Sequence, residues 1–503
     1  MRDADRLRAV TYIRSPCAGF LAKDSSGGRY VGARRRIKPD ATALAIPATT
    51  PRIPELHPHR SDHVDTREAF GEKGDGPLFP QEKGTVPFFP VTPVVTDRMG
   101  WTAMALTALA MFGNFYVYDS IAPVAEMLSS QLGFTDTQIG TLNAIYSIPN
   151  VVLVLVGGIL VDRYGIGRMA AITAGICLLG ALLTAATPNF YAMATGRLLY
   201  GIGAETFSIA TLAVVALWFP TRYTALAMGL TLAMGRVGSL SADLSPTWVP
   251  GLYAAGWQPP LLLAAAIAAT SFAAALVYWW YERRSRVAEV NAPQASDGAF
   301  RWRDVLHFSG AFWALVALCV LWYAGILAFR STFSIKYFQH VFGLPLDEAG
   351  QMNSVIFLTS IFSTPLLGWL CDRTGRYSAI LVLGSLLLPA AFVSLHFLRA
   401  DPHVGMVLIG MSYSLVGAAM WPMASKLVEA GRFGTALGVM WVLQNAAIAG
   451  SNLLAGWLND VNGAGAANPD GYGPMMVFFL ACSSFGFFAT LVLWRLVPGR
   501  IGK

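Results

Sequence analysis

The stretches GGILVDRYGIGR at 157–168 and GWLCDRTGR at 368–376 are near copies of one another. Asp162 and Asp372 lie 210 positions apart, about half of the apolar part of the chain. Each stretch follows one long apolar run and precedes the next. A short, charged, glycine-rich connection between two such runs reads as a tight hairpin between membrane helices. Its duplication reads as an internal repeat of the whole assembly.

The composition agrees. Of 503 residues, 55% are hydrophobic and 13% charged, with a mean hydropathy of +0.51. A soluble domain is about a quarter charged, so this chain carries more apolar surface than a soluble fold could bury, and its solvent is a lipid bilayer. Residues 1–98 hold 16 Lys and Arg and 12 Asp and Glu. The remainder is nearly free of charge outside its short connections. The net charge of +7 therefore reflects basic loops beside a membrane and does not point to nucleic acid. The five cysteines, Cys17, Cys177, Cys319, Cys371 and Cys482, form no C-x-x-C pair. They suggest neither disulfide nor metal chemistry.

From Trp101 onward, twelve apolar segments follow one another: 101–127, 137–160, 168–187, 190–215, 224–246, 258–281, 309–338, 349–371, 378–398, 403–428, 434–459 and 473–496. Each is near or above the ~20 residues a helix needs to cross ~30 Å of hydrocarbon. Helices are required, because backbone groups in lipid must pair within their own segment. The expected fold is an all-α membrane protein of twelve spans in two six-helix halves. Residues 1–98 read as a disordered cytoplasmic tail, 99–280 as the first half and 281–308 as a basic linker. The second half is 309–496, and 497–503 is a short C-terminus. The connections carrying Arg163, Arg168, Arg283, Arg284, Arg373, Arg376 and Arg432 all fall on one side, against Arg399 alone on the other. That bias places both termini in the cytoplasm. Short loops and abundant Ala, Gly and Arg suggest a prokaryotic inner (plasma) membrane, with a lysosomal-type membrane as the eukaryotic alternative.

The two hairpins resemble the signature loop of the major facilitator superfamily. The resemblance implies a gate in which Asp162, Arg163 and Arg168, and their counterparts Asp372, Arg373 and Arg376, help hold one of two alternating states. Gly196, Arg197, Gly201 and Gly203 match a second pattern of that superfamily, with Arg197 in a structural role.

Candidate binding residues follow from charge inside apolar runs, which is costly and calls for a partner or a ligand. Glu205 lies ten residues from the expected span end at 215, and Arg236 twelve from the expected end at 224. At 1.5 Å per residue their depths differ by about 3 Å. Adjacent antiparallel helices can therefore bring both to one mid-membrane site. Glu205 would face an ammonium and Arg236 a carboxylate, which its fork binds bidentately. A buried ion pair that only fixes packing is the alternative. Tyr118, Tyr146, Asn150, Tyr413, Trp421, Gln444 and Asn445 are polar or amphipathic groups on neighbouring spans, and with them the site reads as a wet central cavity. Asp119 is the candidate protonatable carboxylate. Arg330, Lys336, Asn353 and Lys426 are further polar groups in the second half.

Runs such as FGNFYVYDSIAP, YSIPNVVLVLVGG, GRLLYGIGAE, LAMGRVGS and MSYSLVGAAMWPM resemble one branch of the superfamily, the animal lysosomal dipeptide uniporters. The resemblance covers about residues 110–460 and implies that Glu205 and Arg236 hold the two termini of a dipeptide. In that branch a glycosylated lumenal partner accompanies the transporter, so an accessory subunit is implied by the resemblance alone. The expected function is a dipeptide or small-zwitterion transporter working by alternating access. A proton-coupled exporter of drugs or sugars is the near alternative, and a non-transporting receptor or scaffold the distant one. No nucleophile–base pair, metal-ligand spacing or phosphate loop suggests an enzyme or a cofactor.

Overall fold

The computed structural model describes residues 97–219, 223–285, 287, 305, 307–429 and 432–497. All of the tail expected at 1–98 except Asp97 and Arg98, which begin the first helix, lies outside them, as do most of the linker and nearly all of the short C-terminus. Among the described residues there are twelve long helices: α1 Asp97–Asp119, α2 Asp136–Tyr164, α3 Ile166–Ala186, α4 Phe190–Trp218, α5 Thr224–Trp248, α6 Gln258–Ser285, α7 Gly310–Val341, α8 Leu346–Thr374, α9 Tyr377–Phe397, α10 Pro402–Leu427, α11 Phe433–Val461 and α12 Gly473–Leu496. Nine of them are long and apolar enough to cross a membrane by length and composition alone.

Local chemistry sets where these helices stop. Both repeated hairpins break at a glycine three residues after the aspartate. Gly165 has φ +90° and Gly375 φ +62°, a backbone region that glycine enters without a Cβ penalty. At the opposite end of the bundle, Thr135 and Gln138 form a capping box that starts α2, satisfying two amides that a helix leaves unpaired. Asn189 caps α4 through the Tyr191 and Ala192 amides.

Helices α1–α6 pack chiefly on one another, as do α7–α12, and the two groups meet through α2 against α11 and α5 against α8. The buried apolar cluster of the second group draws on 312–493 and takes only Ala122 from the first. The first group has apolar clusters of its own. Small residues allow the tightest contacts. A Cβ at Gly203 would sit 2.6 Å from the Thr173 carbonyl oxygen of α3, and one at Gly201 would collide with the Tyr146 carbonyl of α2. The glycines of the span-4 pattern are therefore packing residues.

The groups touch most closely at the end away from the two hairpins, hereafter the far end. There Gly140 of α2 lies against the Asn452 backbone of α11, Gly456 of α11 against the Asp136 backbone of α2, and Gly350 of α8 against the Asp243 carbonyl of α5. At the hairpin end Asp162, Arg163, Arg168, Asp372, Arg373 and Arg376 are exposed. Asp162 makes no hydrogen bond or ion pair among the described residues. Asp372 accepts only from the Tyr377 hydroxyl of the next helix, at 3.0 Å. This conformer is closed at the far end.

The close approach of Gly456 carries a direct expectation. Gly456→Val puts side-chain atoms where the Asp136 carbonyl now sits, and the backbone there cannot yield as a flexible side chain would. Far-end closure should be lost while the fold persists, read as a longer spin-label distance across that end. An unchanged distance would mean that closure does not depend on this contact.

Candidate functional site

Two polar centres bridge the groups at different depths. The deeper one surrounds Arg330. Helix α7 contains one wide turn, Phe329–Phe333, with π-type hydrogen bonding, a local irregularity frequent at functional sites. It turns Arg330 toward the first group. Its guanidinium meets Asp119 of α1 at 2.5 Å and Asp243 of α5 at 2.7 Å, and it lies 4.1 Å over the Phe357 ring. Asn353 of α8 donates to Asp243 at 2.9 Å and to the Arg330 carbonyl at 3.2 Å, and accepts from Ser334 at 2.7 Å. Arg330, Asp119 and Asp243 are at most 2% exposed. Asp119, the expected proton site, is thus an ion-pair partner of the other group in this conformer. Asp243 is the residue that sequence reasoning passed over, although an acid inside an apolar run is itself a signal.

Arg197 is fully committed to structure. It donates to the Val117, Tyr118 and Leu142 carbonyls at 3.1–3.2 Å and to Asn143 Oδ1 at 2.5 Å. It also sits 5.3–6.0 Å from the ring centres of Tyr118, Tyr146 and Tyr200. Arg197 therefore ties α4 to α1 and α2 by filling carbonyls, without a carboxylate of its own.

The second centre lies at mid-depth. Glu205 is thirteen residues from the hairpin end of α4 and Arg236 twelve from that of α5, a depth difference of about 1.5 Å along the helices. No direct pair joins them. Glu205 is half-buried and makes no hydrogen bond or ion pair among the described residues. On the same helix group the Tyr146 ring packs on Tyr118 at 4.8 Å and Tyr200 at 5.5 Å. Asn150 is buried beside the Tyr146 phenol, and its carboxamide makes no well-formed hydrogen bond. Arg236 instead reaches the second group. Its guanidinium lies 4.9 Å over the Tyr413 ring of α10 and donates to Thr364 Oγ1 of α8 at 3.2 Å. Tyr413 in turn stacks on Trp322 at 5.6 Å, and Trp421 meets Trp441 edge to face at 6.1 Å.

The expected lining residues therefore divide. Tyr118, Tyr146, Asn150 and Glu205 gather on the first group, and Tyr413 gathers beside Arg236. Gln444 accepts a weak contact from Cys319 at 3.5 Å. Asn445 is buried and donates back to the Trp441 carbonyl of its own helix at 3.0 Å. Thr364 and Trp322 were not expected. A hydroxyl or an indole in an apolar run is too common to stand out before the cross-helix contact is seen. Among the described residues, no cluster of His, Cys, Asp and Glu could hold a metal ion.

The chain is similar to known proteins in sequence and in fold. The family described as Major Facilitator Superfamily matches residues 104–451. A lysosomal dipeptide transporter, MFSD1 of Danio rerio, is 32% identical over 397 residues, 76% of this chain and 84% of its own length. The crystal structure of the nucleoside transporter NupG superposes with a TM-score of 0.62 at 14% identity, covering 78% of this chain and 99% of that one. A D-xylose–proton symporter superposes equally well at 15% identity, over 80% and 99%. At such identities the two structures speak for the fold alone.

Proposed function

The chain belongs to the Major Facilitator Superfamily, and from that premise we propose that it carries dipeptides or similar small zwitterions, held by their two charged ends. It is a multi-pass integral membrane transporter and not an enzyme. The observation that carries the proposal is the mid-depth centre. An unpaired carboxylate, Glu205, stands on one group at the level of a guanidinium, Arg236, that already leans on the other group. A carboxylate ligand can take that guanidinium bidentately, and an ammonium can satisfy Glu205. The aromatic walls formed by Tyr146, Tyr118, Tyr413 and Trp421 leave side-chain identity loosely specified. The 32% identical relative, named a dipeptide transporter, supports the same substrate class.

The hairpin end, where lysine and arginine concentrate, is placed in the cytoplasm. The conformer described here is then the one open to that side. Transport consists of the two helix groups rocking about the mid-depth centre, with the Asp119–Arg330–Asp243 contact broken and remade at each turnover.

The test is counterflow in proteoliposomes preloaded with unlabelled dipeptide, with free amino acids, sugars and nucleosides as competitors. Labelled dipeptide should accumulate, and dipeptides of unlike side chains should compete within about tenfold of one another. Competition by sugars or nucleosides alone would overturn the proposal. The same vesicles with and without a pH gradient, using Asp119→Asn as comparison, decide whether a proton travels with the cargo.

A further inference from the structure

The far end holds a second network of charge, separate from the Arg330 centre and farther along α7. Glu126 comes from the short helix Ala125–Leu132, Asp136 from the first turn of α2, and Lys336 and His340 from the last turns of α7. Asn459 and Asp460 come from the end of α11, and Tyr472 from the short helix Pro469–Tyr472. Lys336 Nζ lies 2.6 Å from Asp136 and 3.7 Å from Glu126, and donates to Ser129 at 2.7 Å. Asn459 donates to Asp136 at 2.8 Å. Asp460 accepts from the Asp136 and Thr137 amides at 2.7 and 2.9 Å, so one group caps a helix of the other. The His340 ring stands across the same seam, with Nε2 3.0 Å from the Glu126 carboxylate and Nδ1 2.8 Å from the Tyr472 hydroxyl. Beside it, His396 borders Gly473, and an exposed Arg399–Asp470 pair lies at 2.6 Å.

Inside this seam two carboxylates, Glu126 and Asp136, face one ammonium, Lys336. The His340 side chain is 6% exposed, but the Glu126 side chain it touches is 29% exposed, which leaves a path for protons from the far-side solution. We infer that His340 is a proton-binding site joining the two helix groups, and that a proton taken up there from the far-side solution locks the far end shut. A neutral ring has a single N–H and must borrow the Tyr472 proton to make its second contact. The protonated ring donates to both neighbours, and its contact with Glu126 becomes charge-assisted. When the far end opens, the ring loses its contact with Glu126 to water.

The sign follows from linkage. The charge-assisted contact with Glu126 spans the seam only when the far end is shut, so proton uptake favours closure and proton loss at higher pH weakens it. A lower limit comes from Glu126. Burial works to raise its carboxyl, but the His340 ring and the Lys336 ammonium outweigh that and hold it below the usual carboxylate range. The lock therefore persists on acidification through the range in which an ordinary glutamate protonates.

The inference rests on two-state alternating access and not on the identity of the cargo, so its test needs no substrate. Spin labels at Ser130 and Ala466, exposed positions on the two groups at the far end, report closure in the full chain with its native cysteines replaced. Lowering the pH from 8 to 5.5 should raise the closed-to-open ratio about tenfold, the scale of one hydrogen bond to a charged group. His340→Gln, which keeps a neutral donor, and Glu126→Gln should each flatten that dependence while leaving a measurable closed population. A full pH response in His340→Gln, or no response in the parent protein, overturns the inference. A response lost only in Asp119→Asn would assign the proton to the Arg330 centre instead and overturn it equally.

Discussion

Arg330→Met is expected to open the far end and to weaken the closed conformer by about 3–5 kcal/mol, the range measured when one partner of a buried ion pair is removed. Arg330 neutralises two carboxylates from the opposite helix group, Asp119 and Asp243, and all three side chains are at most 2% exposed. Without the guanidinium, both acids remain in a seam from which water is excluded. They can regain solvation only by separating the groups, which is the far-end-open state. Each group keeps its own apolar clusters, so the protein should reorganise between its two states before it unfolds. A loss of about 3–5 kcal/mol shifts the closed-to-open ratio by about 10²- to 5 × 10³-fold, which the Ser130–Ala466 distance distribution would register directly. Thermal unfolding in detergent should fall as well. The triple replacement Asp119→Asn, Arg330→Met, Asp243→Asn should restore much of the closed population, since no uncompensated charge is left behind. If Arg330→Met alone is as closed and as stable as the parent, Arg330 does not hold the seam.

The second large effect concerns Glu205 and Arg236, where stability and transport should move in opposite directions. Glu205 is half-buried and makes no hydrogen bond or ion pair among the described residues, so its charge is a cost in the empty protein. Glu205→Gln should therefore leave thermal stability unchanged or raise it, while dipeptide counterflow falls about 10²–10³-fold. Truncating one partner of a desolvated charge pair costs about 2–5 kcal/mol of binding, which supplies that factor. Arg236→Lys keeps the charge but loses the planar fork and should fall less, by about tenfold. Arg236→Ala should match Glu205→Gln in transport, and it also forfeits the contacts to Tyr413 and Thr364. Parental counterflow in both Glu205→Gln and Arg236→Ala would sink the zwitterion site and leave the family assignment untouched.

Some of the site was legible before any coordinates. Arg197 was expected to be structural because a cation amid small residues needs acceptors, and the carbonyls of α1 and α2 provide them. Glu205 and Arg236 were matched in depth by counting residues from helix ends, and the match holds although α4 runs on to Trp218 and puts Glu205 thirteen rather than ten residues from its end. Arg236 was nevertheless expected to face its own neighbour α4, and it leans across to α8 and α10. Asp119 was read as a free protonatable group and is held by Arg330. Asp243 was not singled out, yet it completes the same centre.

The chain alone marked the apolar runs that form the twelve long helices among the described residues and the glycines at which the two hairpins turn, although the first run, expected at 101–127, ends as a long helix at Asp119. Each of these is a local property: an apolar run long enough for lipid, a cap within four residues, a backbone angle that only glycine takes freely. Only the tertiary structure decided which end is shut and which charges pair, because ion pairs in a low dielectric are set by distance in space. Asp119, Asp243 and Arg330 lie on three helices, with Arg330 standing 211 and 87 positions beyond the two acids along the chain. No periodicity or spacing in the chain names a partner at that separation, and packing of the helices does.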